Sequence, residues 1–373
     1  MRSPPWSLLK KAPGPFHRGG HTYLVYDGEA TSVRLRTFMP RFPTPPPFTR
    51  LGDGSRWYLQ LHLPAAARLE YLLAIEHDGQ HHEITDPLNP AAAANPFGTN
   101  SVIGGPAYRP AQFPSVSAAS RGRVIEVRVP STHLGGRRHH QVYLPAGYRR
   151  GQPIRLLLVH DGPDFARFAG LVDALDGLIA ASKLPSLVAV LLHPWRRMTE
   201  YGASRLHTLH LVEEVLPHLK RRLGVESPPQ LRALLGSSMG AVAALAAAWH
   251  RPDQFGPVGL LSGTFLYRPH HRFIGDEFRA VIDLQARLVT DRRFRRRRMF
   301  LSAGRYEGLV DLQRRLVPLL RGQQHQLRVV ETWDGHHWGA WRDRLADCLP
   351  FLFPVDTNDF SSLPLSGSHS PVL

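Results

Sequence analysis

From about residue 120 onward, short continuous apolar runs alternate with longer amphipathic ones. "IRLLLVHDG", "SLVAVLLHP", "LRALLG", "GPVGLLSG", "RRMFLSAG" and "HQLRVVETW" read as strands. Between and after them, "FAGLVDALDGLIAASKL", "LHTLHLVEEVLPHLKRRLG", "AVAALAAAWH", "LVDLQRRLVPLLRG" and "HWGAWRDRLADCLPFLF" read as helices. Strands that are apolar on both faces must be covered on both, so this alternation predicts an α/β fold with a mostly parallel sheet clothed by helices. Just upstream, "RVIEVRV" and "RRHHQVYLP" predict an antiparallel strand pair.

The chain before residue 120 has a different texture. "HTYLVYDG", "SVRLRTFM", "RWYLQLHL" and "LEYLLAIEHDG" are short β-prone runs bounded by Gly, Pro and Asp, a spacing that predicts a small β-sandwich. "RFPTPPPF" cannot be a central strand, because proline lacks the ladder donor. "TDPLNPAAAANPFGTNSVIGGP" reads as an irregular connector. The expected organisation is a β-sandwich domain over 20–115, an α/β domain over 120–353 and a Ser/Pro-rich disordered tail over 354–373.

With 373 residues, 43% of them hydrophobic and 20% charged, the chain can build real cores. A single cysteine, Cys348, excludes an internal disulfide framework and a cysteine metal cluster. The opening residues lack the apolar h-region of a secretory signal. The longest apolar stretch is too interrupted by Gly and Ser to span a bilayer. A cytoplasmic protein is expected.

One strand-to-helix junction carries chemistry. Gly236-Ser237-Ser238-Met239-Gly240 is G-x-S-x-G after an expected strand and before an expected helix, the context that motif requires. The turn is too tight for side chains two before and two after the nucleophile, so the glycines centre it on Ser238. The Met239 amide at the helix start is a candidate oxyanion donor. In such folds the acid and then the histidine follow the serine along the chain. After the last expected strand comes "TWDGHHWGAW", where His336 and His337 are the candidate bases. After "RRMFLSAG" come Glu307 and Asp311; Glu307 is the expected acid, since Asp311 falls on the next helix. Asp334 is too close in sequence to reach the far nitrogen of either ring. In the loop after "IRLLLVH", Pro163 has no N–H, so Gly162 is the expected second oxyanion donor.

Taken together, "LLLVHDG", "RRMTEY", "LVEEVLPHLKRRLGV", "GSSMGAVAAL", "AGRYE" and "DGHHWGAWRDRLADCL" resemble, in order, the enterochelin esterase family of α/β-hydrolases, which acts on catecholate siderophores. The resemblance covers about residues 20 to 352 and includes a wider group with S-formylglutathione hydrolases and feruloyl esterases. It implies an immunoglobulin-like N-terminal domain, Ser238 as nucleophile, His336 as base, Gly162 and Met239 as oxyanion donors, and acyl transfer with no cofactor or metal. The family's end motif is Gly-Gly-His-Asp, with a tryptophan shortly after. Here Trp341 fills that tryptophan, but His337 replaces the aspartate, which puts a possible cation beside the base. The acid is less well fixed in the family, so a Ser–His dyad stays open.

The formal net charge of +16 and a pI near 10.7 favour an anionic partner. Arg196 and Arg197 follow a strand at the catalytic edge. They are expected to contact an anionic substrate such as a ferric siderophore, or Arg197 to pair with Glu200. The run Arg292–Arg298 precedes a strand, faces away from that edge, and reads as a solvated face rather than a nucleic-acid site. A small-molecule ester is the expected partner, with no nucleic acid and no membrane. The competing readings are a feruloyl or acetyl carbohydrate esterase, and a binding protein of the same fold with idle catalytic residues.

Overall fold

A computed structural model of the chain describes residues 4–267 and 278–355. The tail expected to be disordered lies, from residue 356 on, outside the described residues. By contacts the chain forms two compact units. The first comprises Met1–Pro110 with Ala303–Val310 and Glu331–Ala340. The second comprises Ala111–Ser302, Asp311–Val330 and Trp341–Leu373.

The first unit opens with a short helix, α1 (Trp6–Leu9), and then carries β1 (Phe16–Arg18), β2 (His21–Asp27), β3 (Ser32–Thr37), β4 (Thr49–Arg50), β5 (Arg56–Leu61), β6 (Arg68–His77), β7 (Gln80–Ile84), β8 (Ala92–Asn95) and β9 (Gly98–Gly104). They form two sheets, β1-β2-β5-β4 and β3-β6-β9-β8, with β7 also on β6, and the strand pairings among the described residues are antiparallel. In β5 buried and half-buried positions alternate, as the period of a strand with one covered face demands. Leu24, Trp57 and Leu59 from the first sheet share one buried cluster with Val33, Leu69, Leu73 and Ile103 from the second. The stretch expected to be an irregular connector instead makes the β8–β9 hairpin, which joins β6. Asn95 closes its turn by accepting the Phe97 N–H at 2.8 Å.

The second unit is built on a sheet that, among the described residues, has the order β10-β11-β13-β12-β14-β15-β16-β17. Its strands are β10 (Arg123–Pro130), β11 (Arg137–Leu144), β12 (Arg155–His160), β13 (Leu187–Leu192), β14 (Arg232–Ser237), β15 (Val258–Leu261), β16 (Arg298–Gly304) and β17 (Gln326–Thr332). The β10–β11 hairpin is antiparallel and β11 runs antiparallel to β13. From β13 through β12, β14 and β15 to β16 the pairing is parallel. All six residues of β13 are buried, the signature of a strand covered on both faces.

The connecting helices are α2 (Gly162–Phe168), α3 (Leu171–Ala180), α4 (Arg197–Tyr201), α5 (Arg205–Leu209), α6 (Leu216–Leu223), α7 (Met239–His250), α8 (Arg279–Thr290), α9 (Val310–Gly322) and α10 (Trp338–Leu352). The single helix expected around residues 168–184 is split, because Gly170 takes a left-handed φ of 61°. No described helix is long and apolar enough to cross a membrane. The chain passes from β12 to β13 on one side and returns with β14 on the other. That reversal opens a crevice between the carboxyl ends of β12 and β14, the place where open α/β sheets bind ligands.

In the first unit, fully buried Tyr71 donates to Asp86 Oδ2 at 2.6 Å and receives the Asn89 amide at 3.0 Å. Tyr71→Phe leaves both partners short of a bond and is expected to cost about 1–3 kcal/mol of stability in urea unfolding. An unchanged midpoint would contradict this reading of the core.

Candidate active site

β14 ends at Ser237, and the chain turns into α7 through Ser238, held at φ 54° and ψ −123°. A side-chain-bearing residue in that region is strained, and such strain persists only where the surroundings enforce it. The enforcing contacts are here. The Ser238 N–H donates to the Leu261 carbonyl at 2.9 Å, and its own carbonyl accepts from Ala241 at 3.1 Å and Thr264 at 3.3 Å. A Cβ on Gly236 would stand 2.2 Å from the Gly240 carbonyl oxygen. On Gly240 it would stand 3.1 Å from His160 Cβ and 3.2 Å from Asp161 Oδ2. Ser238 is half-buried with its Oγ 3.4 Å from Thr264 Oγ1, whereas Ser237 is buried. α7 is nearly all buried and Ala-rich, so it can lie close to the strands.

At the end of β12, Asp161 is also left-handed, with φ 54°. Its N–H donates to the Tyr201 hydroxyl at 3.0 Å. Gly162 follows as the first residue of α2, with its Cα so close to β13 that a Cβ would lie 2.2 Å from Leu191 Cα. Gly162 and Met239 are thus both first residues of helices, where an N–H has no acceptor within the helix.

Arg197 takes a partner the sequence did not suggest. Its Nε and Nη2 grip the buried Asp161 carboxylate at 2.7 to 3.1 Å. Burial opposes the Arg197 charge, but Asp161 outweighs it and raises the pKa above arginine's ordinary value. The expected pairing with Glu200 is not formed. Glu200 is buried and instead accepts from Arg138 at 3.2 Å and from the backbone of Trp195 and Arg196. The Arg196 side chain is exposed.

In the first unit, Glu307 and His336 meet. Glu307 is buried; its Oε1 accepts the Gly304 N–H at 2.5 Å and its Oε2 lies 2.5 Å from His336 Nδ1. A carboxylate can only accept, so the pairing fixes the proton on Nδ1 and leaves Nε2 as the basic nitrogen. Asp311 sits in the first turn of α9 and pairs with Arg314 at 3.2 Å.

The segment carrying His336 is anchored by Arg68, a buried guanidinium at the start of β6. Its Nη2 donates to Glu70 at 2.7 Å, its Nη1 stands 3.5 Å from Asp334, and its backbone N–H donates to the Trp333 carbonyl at 2.8 Å. Burial works against this charge, yet Asp334 and Glu70 outweigh it and raise its pKa. His337 is not the cation the sequence suggested. Only 8% exposed, it is pushed by burial down to a pKa of about 4 and is neutral at pH 7, with Nδ1 3.7 Å from Glu70.

Sequence reading missed four buried histidines in the second unit. His160 and His207 face each other with Nε2 atoms 3.0 Å apart, and His140 and His210 do so at 3.1 Å. His210 Nδ1 lies 2.6 Å from Glu214, in a π-helical turn over His210–Val215 that bridges α5 and α6. Burial lowers all four pKa values, to about 4 for His160 and about 3 for His140. Their spacing in sequence carries no motif. The run Arg292–Arg298 is partly absorbed into the structure: half-buried Arg297 donates to the Phe255 and Pro252 carbonyls, while Arg292, Arg295 and Arg296 are exposed.

A model of the family described as "Putative esterase" matches residues 131–352, more than half of the chain. Among curated proteins, the chain is similar to the uncharacterized protein YbbA of Bacillus subtilis, 27% identical over 156 residues, 37% of this chain and 61% of that protein. It is also similar to the iron(III) enterobactin esterase of Dickeya dadantii, 29% identical over 210 residues, 54% of this chain and 48% of that protein. The matches therefore span only about half to three fifths of those relatives. Among solved structures, the ferric enterobactin esterase of Salmonella typhimurium has the same fold, with a TM-score of 0.75 at 21% identity over 93% of this chain and 98% of that one. A ferulic acid esterase covers 63% of this chain and 99% of its own, with a TM-score of 0.52 at 22% identity.

Two outcomes are expected. Arg68→Met leaves Glu70 and Asp334 buried without a counter-charge and should cost about 3–5 kcal/mol in urea unfolding; a loss below ~1 kcal/mol would remove Arg68 as the anchor. The buried histidines bind protons less readily folded than unfolded, where the ordinary value is 6.5. Stability is therefore full above pH 6.5 and should fall as pH drops from 6.5 towards 4. The urea midpoint should decline over that window, and less so in His160→Phe/His207→Phe; a flat wild-type profile would contradict the assignment.

Proposed function

The chain belongs to the "Putative esterase" family, and we propose that it is a serine esterase working through an acyl-enzyme. The observation that carries this is the strained Ser238, at the crevice where the sheet reverses, on a turn that tolerates only glycine at 236. In this reading Ser238 Oγ attacks the ester carbonyl as His336 Nε2 takes its proton. Glu307, already on Nδ1, stabilises the imidazolium that forms. The Gly162 and Met239 N–H groups receive the oxyanion. His336 returns the proton to the leaving alcohol, and water, activated the same way, releases the acid. No step calls on a metal or cofactor.

Our substrate reading is a catecholate siderophore ester of the enterobactin type, hydrolysed in the cytoplasm. It is supported by the enterobactin esterases among the relatives and by a basic chain suited to an anionic ligand. We read the antiparallel sheets of the first unit as the immunoglobulin-like domain such enzymes carry. Within the proposal, exposed Arg196 meets the anion, and Arg197, its Nε and Nη2 on Asp161, holds the Gly162 turn. The likeness to a ferulic acid esterase supports a second reading, hydrolysis of a feruloyl or acetyl carbohydrate ester.

On a p-nitrophenyl ester, Ser238→Ala and His336→Ala should each lower kcat/KM by roughly 10⁴–10⁶-fold, and Glu307→Gln by about 10²–10⁴-fold. Wild type and Ser238→Ala at the same rate would leave a binding protein. An intact Glu307→Gln would leave a Ser–His dyad. In a panel of ferric and iron-free catecholate trilactones, feruloyl sugars and simple esters, the trilactones should give the highest kcat/KM. Arg196→Ala should raise KM for anionic esters at least fivefold more than for neutral ones; equal effects would remove its substrate role.

A further inference from the structure

At the far end of α7 from Ser238, the second unit has a partly open cavity of about 480 Å³. Four arginines line it, Arg205 at the start of α5, Arg251 just past α7, Arg287 on α8 and Arg293 beyond it, together with Trp249 and His250 from the last turn of α7. The 12 residues of α7 separate this cavity from Ser238 by roughly 16–18 Å at 1.5 Å per residue. It is therefore distinct from the crevice between β12 and β14, and nothing in the proposed reaction uses it.

The charges are of two kinds. Arg251 is held by Asp253 at 2.8 to 3.0 Å, and Arg293 by Asp291 at 2.7 to 3.0 Å. Arg205 and Arg287 have no carboxylate partner among the described residues, and both add to the burial that lowers the His250 pKa. One carboxylate lines the cavity, Glu213, and it lies 2.8 Å from His133 Nε2. Four guanidinium charges against the one lining carboxylate and the two behind it (Asp253 and Asp291) leave one excess positive charge. Guanidinium forks match phosphate oxygens bidentately. The cavity is far larger than one phosphate, and the lining includes Trp249, whose ring packs at a tilt on His250 with centroids 4.9 Å apart; an aromatic side chain in such a lining offers apolar contact to a ligand ring. At its back, Thr208 donates to the Ser204 carbonyl at 3.2 Å and lies 3.0 Å from His250 Nδ1. That arrangement puts the ring proton on Nδ1 and leaves His250 Nε2 as an acceptor for a ligand N–H or O–H.

We propose that this cavity is a binding site for a small phosphorylated aromatic molecule of the mononucleotide class, its phosphate on Arg205 and Arg287 and its ring on Trp249. The site is independent of the esterase reading. Titration calorimetry of the full chain with adenosine 5′-monophosphate, adenosine and inorganic phosphate tests it. The nucleotide should bind saturably at micromolar concentrations, and the other two at least tenfold more weakly. Arg205→Ala/Arg287→Ala, which changes two exposed side chains, should weaken the nucleotide at least tenfold. Trp249→Leu should weaken the nucleotide but not phosphate. No saturable heat with the nucleotide up to millimolar concentration, equal affinity for phosphate alone, or an unaffected double-arginine variant that keeps wild-type circular dichroism would each overturn the proposal.

Discussion

A guanidinium buried almost completely at the start of β6 holds the segment that carries His336. Arg68 is the positive centre between Glu70 and Asp334, and its backbone ties to Trp333. Charges taken out of water are tolerated only when matched and hydrogen-bonded. Asn100 completes the set by donating to Glu70 at 3.0 Å. The packing around this group leaves no slack: a Cβ on Gly339 would fall 2.0 Å from Arg68 Nη2, and one on Gly304 would fall 2.2 Å from the Asp334 carbonyl oxygen. The Glu307–His336 contact thus sits in a frame fixed by electrostatics on one side and by glycine-only approaches on the other.

The second unit solves a different problem, holding two left-handed residues side by side. Asp161 and Ser238 both have φ near 54° and both lead into helices at the reversal point of the sheet. Each is braced by a side chain or backbone group from elsewhere, Tyr201 for Asp161 and Leu261 with Thr264 for Ser238. Arg197 adds a charged clasp on Asp161, which is why a residue placed by sequence at the catalytic mouth has two of its three nitrogens turned inward.

Much of this was legible from sequence where steric or chain-order rules are local. Glycines at 236 and 240 identify a turn too tight for side chains, and the structure gives the colliding atoms. The alternation of apolar runs located the parallel strands, and Asp311 does fall on the helix after the strand, while Glu307 is the carboxylate that contacts His336. What could not be read depends on groups far apart in sequence. Nothing near Arg68 announces Asp334, nothing near Asp161 announces Arg197, and the four histidines become a cluster only when β11, β12, α5 and the π-helical turn come together. His337 was misjudged for the same reason: its charge state is set by burial against β6 residues, not by its neighbours in the chain. The β8–β9 hairpin escaped because its alanines carry no hydrophobic alternation, and only the Asn95 turn marks it.

The membership of the segment Glu331–Ala340 in the first unit bears on how such a chain can be recombined. The family match begins at residue 131, which invites treating everything before it as a detachable module. Cutting there would remove Arg68 and Glu70 while leaving Asp334 and His337 in the remaining piece, two polar side chains shaped for a cavity that no longer exists. The N-terminal strands are therefore structural parts of the histidine-bearing segment. Transplanting the later region onto another scaffold would require carrying β6 with it.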